Sequence, residues 1–349
     1  MENNLPHYDV VVVGAGISGI GAGHHLQEKC PDKTFIIFEG RESFGGTWDL
    51  FRYPGIRSDS DMHTMGYRFK PWLDDKFIAD GPSILNYLEE TISENNLQEK
   101  IIYQHKVLSS SWSSTESKWT LEVDNLKSGI VDKYTCNFLL MCGGYYNYEG
   151  GYDPDFKNED LFEGSIIHPQ KWPEDLDYEN KNVVIIGSGA TAVTIVPAMA
   201  DKVEHITMLQ RSPTYFMSAP DKDMIGNFLK KIFPQRLAFF LTRWKNILLG
   251  NFFYNRCVKN PDKVKEMLIN GVRDQLGEDF DIEKHFTPKY KPWDERLCFV
   301  PNADFFEAMK AGKASVVTDQ IDEFTKTGIR LKSGEKLSAD IIIKATGLN

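Results

Sequence analysis

The chain has 349 residues, with 40 Lys and Arg against 50 Asp and Glu for a net charge of −10, and 41% of its residues are apolar. That length allows roughly two domains, each able to bury its own core, and excludes a lone small module. A mean hydropathy of −0.37 excludes a multispanning membrane protein and a disordered polyanion, and the acidic balance argues against nucleic acid as a partner.

Residues Met1–Tyr8 are polar, and no targeting leader is expected. Asp9–Val13 (DVVVV) is the β-branched run of a strand buried on both faces. It leads into Gly14, Gly16 and Gly19 of a GxGxxG turn, with a helix expected to about Lys29. In such a unit the glycines let a pyrophosphate approach the N–H groups at the helix start. A lone GxGxxG is weak, so the flank decides. The next strand, Thr34–Phe38, ends in Glu39, about 20 residues past the third glycine, where a carboxylate accepts bonds from a ribose hydroxyl.

Phe138–Cys142 is a further apolar strand ending in Gly143-Gly144. A boundary near residue 146 is expected there, giving a first domain over 1–145 and a second over 146–349. The pattern then recurs: Asn182–Ile186 leads into Gly187, Gly189, Thr191 and Ala192, the alanine being a tolerated third small residue. The following strand, Ile206–Leu209, is succeeded by Gln210, Arg211 and Ser212, with no carboxylate. Alone, Arg211 reads equally as a solvated surface arginine. After this strand its planar fork suits a 2′-phosphate, which an acid would repel. Two α/β dinucleotide folds, one with Glu and one with Arg, imply FAD and NADPH held for hydride transfer. The five cysteines match neither a zinc site nor a redox dithiol, so no metal is expected, and reduced thiols in a cytoplasmic protein are the expectation.

Other segments carry the chemistry. Gly45-Gly46-Thr47-Trp48, Tyr53-Pro54-Gly55 and Asp59 follow Glu39, and Phe162, Gly164, His168, Trp172 and Pro173 precede the second turn. Singly they read as turn punctuation and packing. Together they resemble both fingerprints of the type I Baeyer–Villiger monooxygenases: FxGxxxHxxxWP, and the pattern from the glycine pair through Trp48 and Tyr53-Pro54-Gly55 to Asp59. The resemblance covers residues 8–349, and Trp172 separates it from the flavin-containing monooxygenases, which usually have Phe or Tyr there. It implies that NADPH reduces FAD and that a peroxide formed on the flavin with O2 converts ketones to esters or lactones, with oxidation at sulfur as a second activity. It further implies that Arg296 stabilises the anions, that Asp59 positions Arg296, and that Gly46, Thr47 and Trp48 lie along the flavin. Gly164, His168 and Trp172 would form a conformational linker in which His168 is no acid or base. Glu295 stands where many relatives carry Lys, leaving Arg211 and Ser212 with more of the phosphate selectivity. The alternatives are an N- or S-oxidising flavin-containing monooxygenase, and an uncoupled NADPH oxidase or non-catalytic fragment.

A helical insertion is expected over about 222–285. From Lys222 to Lys265 it carries ten basic residues against two acidic, interleaved with Phe228, Phe240, Trp244, Leu248 and Phe252. A cap packed over the active site is favoured over a membrane-surface helix, although basic charge with aromatics is also the signature of contact with anionic lipid. The chain closes on the strand within Asp340–Lys344 and on Ala345-Thr346-Gly347. Because the family is commonly longer, a missing C-terminal part of the FAD domain is expected, with that last strand left on an open sheet edge.

Overall fold

A computed structural model describes residues 5–349; Met1–Asn4, the start of the polar N-terminus, lie outside the described residues. The first part of the chain runs β1 (His7–Val13), α1 (Ile17–Lys29), β2 (Phe35–Phe38), α2 (Thr47–Leu50), α3 (Met62–Met65), α4 (Gly81–Glu94), β3 (Ile101–Ile102), β4 (His105–Ser113), β5 (Lys118–Asn125) and β6 (Ile130–Met141). Contacts divide the chain into one unit of Met1–Leu50 with Gly81–Tyr146 and another of Phe51–Asp80 with Asn147–Asn349.

In the first unit a six-stranded sheet has the order β3-β2-β1-β6-β5-β4. β1 pairs in parallel with both β2 and β6, and so Val11 and Val12 are fully buried. This is why the run is β-branched throughout and does not alternate. The strand expected at Phe138–Cys142 is the end of the longer β6, whose earlier part pairs antiparallel with β5.

The second unit continues with β7 (Ser165–Ile167), β8 (Asn182–Ile186), α5 (Ala190–Met199), β9 (His205–Gln210), β10 (Tyr215–Ala219), α6 (Met224–Ile232), α7 (Gln235–Lys259), α8 (Pro261–Leu276) and α9 (Ile282–Phe286). It closes with β11 (Leu297–Pro301), α10 (Asp304–Lys310), β12 (Ala314–Thr318), β13 (Ile321–Thr325), β14 (Gly328–Leu331), β15 (Lys336–Ser338) and β16 (Ile341–Lys344). Its parallel sheet has the order β12-β9-β8-β16-β7. Val184, Ile186, Leu209, Phe324 and Ile342 form its core on one side. The open edge expected for the last strand is not there. β16 lies inside the sheet, Ile342 opposite both Val184 of β8 and Ile166 of β7, and all four of its residues are buried. Parallel pairing is non-local, so the last strand in sequence takes an inner place.

The insertion is fastened to the segment around α3. Asp223 caps α6 by accepting from the Gly226 N–H at 2.7 Å, and Lys245 of α7 donates to the same carboxylate at 2.5 and 2.6 Å. Arg243 Nη1 donates to the carbonyls of His63 and Gly66 at 2.7 and 3.0 Å, and Asn246 Nδ2 to Asp61 Oδ1 at 2.9 Å. Among the described residues no helix is long and apolar enough to cross a membrane.

His63 beneath this clasp is buried, and neither ring nitrogen has a hydrogen-bond partner. Burial first, with Lys230 and Lys245 against Asp61 and Asp223, brings its pKa down to about 4. The unfolded chain takes up this proton near pH 6.5, before the folded one, so stability should fall by up to about 3 kcal/mol as pH drops from 6.5 to 4. Thermal melts of the wild type and His63→Leu over that range should show a shallower pH dependence in the variant; parallel curves would contradict this origin.

Candidate active site

In the first unit, β1 ends at Gly14, Gly16 caps α1, and Gly19 is buried in its first turn. Glu39 at the end of β2 is buried, its Oε2 accepting from the Ala15 N–H at 2.7 Å and its Oε1 from the Arg41 N–H at 2.9 Å. Each oxygen keeps acceptor capacity for a hydroxyl. The Gly45 N–H donates to Ala15 O at 3.0 Å, and a Cβ on Gly16 would stand 3.7 Å from Gly46 Cα. The start of α2, with Thr47 and Trp48 half-buried, is thereby brought to the same turn. A bare backbone rim with a fixed carboxylate beside it fits an adenosine diphosphate group.

In the second unit, β8 ends at Gly187, whose φ of +135° is accessible to glycine and whose Cβ would meet Ala345 O at 2.2 Å. Gly189 caps α5, Ala192 is buried, and Thr191 bonds the hydroxyl of Tyr53. Beyond β8 lies a cavity of about 350 Å³ whose lining includes Gly187, Ser188, Arg211, Ser212, Arg296 and Asp319. Ser188 Oγ donates to Ser212 O at 3.3 Å, tying the turn to the segment after β9. Arg211 and Ser212 are exposed there. Asp319 was not anticipated. Hydrogen bonds from Ser333 and the Gln320 N–H hold its carboxyl below the usual range. Because β12 neighbours β9 in a parallel sheet, the residues after it must emerge at the same edge, and that is the signal that could have found it.

Arg296 shares this cavity, its Cδ 3.9 Å from where a Cβ on Gly189 would be. Its carbonyl accepts from Tyr290 Oη at 2.7 Å and Thr214 Oγ1 at 3.3 Å, which pins the main chain. Asp59 is open to solvent, yet desolvation by the surrounding protein, opposed by Arg57, raises its carboxyl above the usual range. Asp59 is expected to position Arg296; among the described residues no ion pair joins the two. Arg57, two positions along, is the cation that acts on Asp59, and Arg57 itself bonds Asp304 at 2.5 Å. Asp59 and Arg296 do share one neighbour, Cys298, whose thiol burial pushes up to about 12.

Gly164 precedes β7 where a Cβ would meet Asp340 O at 2.3 Å. His168 caps a helical turn over Pro169–Lys171, its Nδ1 accepting from the Gln170 N–H at 3.2 Å, and Trp172, half-buried, closes that turn. Gln170 Nε2 donates to Asn147 O at 2.6 Å, while the N–H groups of Asn147 and Tyr152 donate to Asn349 O and Gly347 O at 2.6 and 3.1 Å. Burial lowers the His168 pKa, so the ring is neutral at pH 7 and serves as a cap.

Residues 12–74 match the family model of the NAD(P)-binding Rossmann-like domain. Over 344 residues the chain is 54% identical to the FAD-containing monooxygenase EthA of Mycobacterium tuberculosis (strain ATCC 25618 / H37Rv), spanning 98% of this chain and 70% of that protein. The chain belongs to the FAD-containing monooxygenases. EthA of Mycolicibacterium smegmatis is likewise 54% identical, with the same coverage. Two solved structures share the fold: an oxidised steroid monooxygenase bound to NADP (TM-score 0.81, 24% identity, 98% of this chain and 71% of that one) and an ε-caprolactone-bound cyclohexanone monooxygenase (0.76, 23%, 98% and 74%). An FAD-containing monooxygenase needs a seat for its flavin dinucleotide, and the turn at Gly14–Gly19 beside Glu39 fits one.

Proposed function

We propose that the protein is an NADPH- and O2-dependent Baeyer–Villiger monooxygenase that converts ketones to esters or lactones, with oxidation at sulfur as a second activity. The supporting observation is the shared cavity of Arg211, Ser212 and Arg296 at the Gly187–Ser188 turn. Bound FAD and NADPH supply the hydride and the activation of dioxygen. The chain's residues do the rest. Gly14, Gly16 and Gly19 seat the FAD pyrophosphate at the start of α1, Glu39 holds its ribose, and Gly46, Thr47 and Trp48 lie along the flavin. Gly187, Gly189, Thr191 and Ala192 seat NADPH, with Arg211 and Ser212 on its 2′-phosphate. The Arg296 guanidinium stabilises negative charge developing on the substrate oxygen, and Asp59, with which it shares the neighbour Cys298, is the residue that positions it. The segment of Gly164, His168 and Trp172, in which His168 and Trp172 are half-buried, couples nucleotide binding to movement.

Incubation with NADPH, O2, a cyclic ketone and a thioether should yield lactone; sulfoxide alone would move the enzyme to the heteroatom-oxidising class, and stoichiometric hydrogen peroxide alone to an uncoupled oxidase. Arg211→Ala should raise KM for NADPH about 10–100-fold, the worth of a charge-assisted bond, and leave KM for NADH nearly unchanged. Equal increases for both would remove the 2′-phosphate contact.

The proposed location is the cytoplasm, with peripheral contact to anionic membrane through the insertion. Exposed Met224, Ile225, Phe228 and Ile232 form an outward stripe on α6, and Phe240, Trp244, Leu248 and Phe252 another on α7. Large apolar side chains turned to solvent among clustered basic residues fit an interfacial surface better than a cap.

A further inference from the structure

Beside the α7 stripe lies a second cavity of about 600 Å³, formed by residues 68–71 and the first turns of α7. Three guanidinium groups line it, those of Arg68, Arg236 and Arg243, together with Phe69, Phe240 and Trp244, and none of its lining residues is acidic. Three arginines around one cavity whose lining holds no carboxylate, in a chain of net charge −10, suit an anion. Arg243 is oriented in advance by its bonds to the carbonyls of His63 and Gly66. Arg68 and Arg236 are exposed at the rim. Phe240 and Trp244 belong both to this lining and to the exposed stripe that Leu248 and Phe252 continue, so an anion held here would have apolar surface directly beside it. Inorganic phosphate uses only the first of these features, whereas an anionic glycerophospholipid uses both, its phosphate on the arginines and its chains along the stripe.

We propose that the cavity between residues 68–71 and α7 is a headgroup site for an anionic glycerophospholipid, which fixes the insertion on the membrane in one orientation. This rests on the peripheral-membrane reading and adds a specific site to it. The test is co-sedimentation of the full chain with phosphatidylcholine vesicles, with and without one quarter phosphatidylglycerol, for the wild type, Arg68→Gln/Arg236→Gln and Arg68→Lys/Arg236→Lys. Circular dichroism melts check folding, and Arg243 is left intact because it anchors α3. Binding should require phosphatidylglycerol and fall about 30-fold in the glutamine pair, from two lost charges at the surface. It should also fall several-fold in the lysine pair, which keeps the charge and loses the planar fork. Full binding by the lysine pair would overturn the headgroup site while leaving membrane contact standing. Absence of vesicle binding by the wild type would overturn both. Short-chain phosphatidylglycerol below its micelle concentration and inorganic phosphate, compared by calorimetry, separate the sources: equal affinity for the two would assign the site to free phosphate. Self-association through the stripes, abolished by Phe240→Ser/Leu248→Ser and indifferent to lipid, would assign the face to a second copy and also overturn the proposal.

Discussion

Replacing Arg296 with alanine is expected to cut ester formation by about 10²–10³-fold, the usual loss when one preorganised stabiliser of developing negative charge is removed. The side chain's stem lies over Gly189 and its main chain is held through its own carbonyl by Tyr290 and Thr214. The substitution therefore removes a guanidinium without releasing the segment that bears it. Oxidation of NADPH should continue, with hydrogen peroxide replacing the ester. Because Arg296 lines the cavity of Arg211 and Ser212, the KM for NADPH should rise as well, so the comparison belongs at saturating NADPH, where lost binding no longer contributes. Arg296→Lys is the informative companion. It retains a charge and loses the fork, and a partial recovery of ester would assign the effect to charge. Ester formation by the alanine variant at near the wild-type rate would dismiss Arg296 as the stabilising group.

The two strand–glycine–helix turns were legible as structure because each is a local unit in which strand, glycines and helix start are consecutive, so the β-branched run leading into Gly14 or Gly187 carries its own geometry. Glu39 was legible for the same reason, being one strand further on. What was missed depends on pairings between distant parts of the chain. The place of β16 between β8 and β7 is set by partners more than 150 positions earlier, and no pattern within its own four apolar residues distinguishes an inner from an edge strand. The segment Phe51–Asp80 belongs with the second unit, where Tyr53 bonds Thr191, although it sits in sequence between two pieces of the first. Asp59 was matched to Arg296 by family pattern, yet the structure sets Arg57 against it, a neighbour that the pattern leaves unspecified. In the insertion, spacing revealed apolar stripes, but only packing decides which face is turned inward. Ala238, Thr242 and Cys257 are buried on α7 while Trp244, Leu248 and Phe252 are exposed.

Gly19→Ala should abolish retention of FAD and lower the melting temperature, because the two faults have one origin. A Cβ at this position would stand 1.8 Å from Gly14 O, a backbone atom of the same turn, so no side-chain rotation relieves the overlap. Either α1 shifts away from β1 or the turn opens, and both move the N–H groups on which a pyrophosphate would rest. Overpacking against a fixed neighbour costs about 1–3 kcal/mol or more. Gly16→Ala separates the two effects. Its Cβ would come no nearer than 3.7 Å to Gly46 Cα, which is ordinary contact, so the fold should hold. The added methyl nevertheless occupies the rim where the backbone must approach the cofactor. Thermal melts of flavin-free protein should show Gly16→Ala close to wild type and Gly19→Ala clearly lower. FAD titration followed by flavin fluorescence should show both weakened by at least about 100-fold, an amount near 3 kcal/mol. If Gly16→Ala bound FAD as the wild type does, the first turn would not be the flavin seat, and the assignment of the two turns would have to be exchanged.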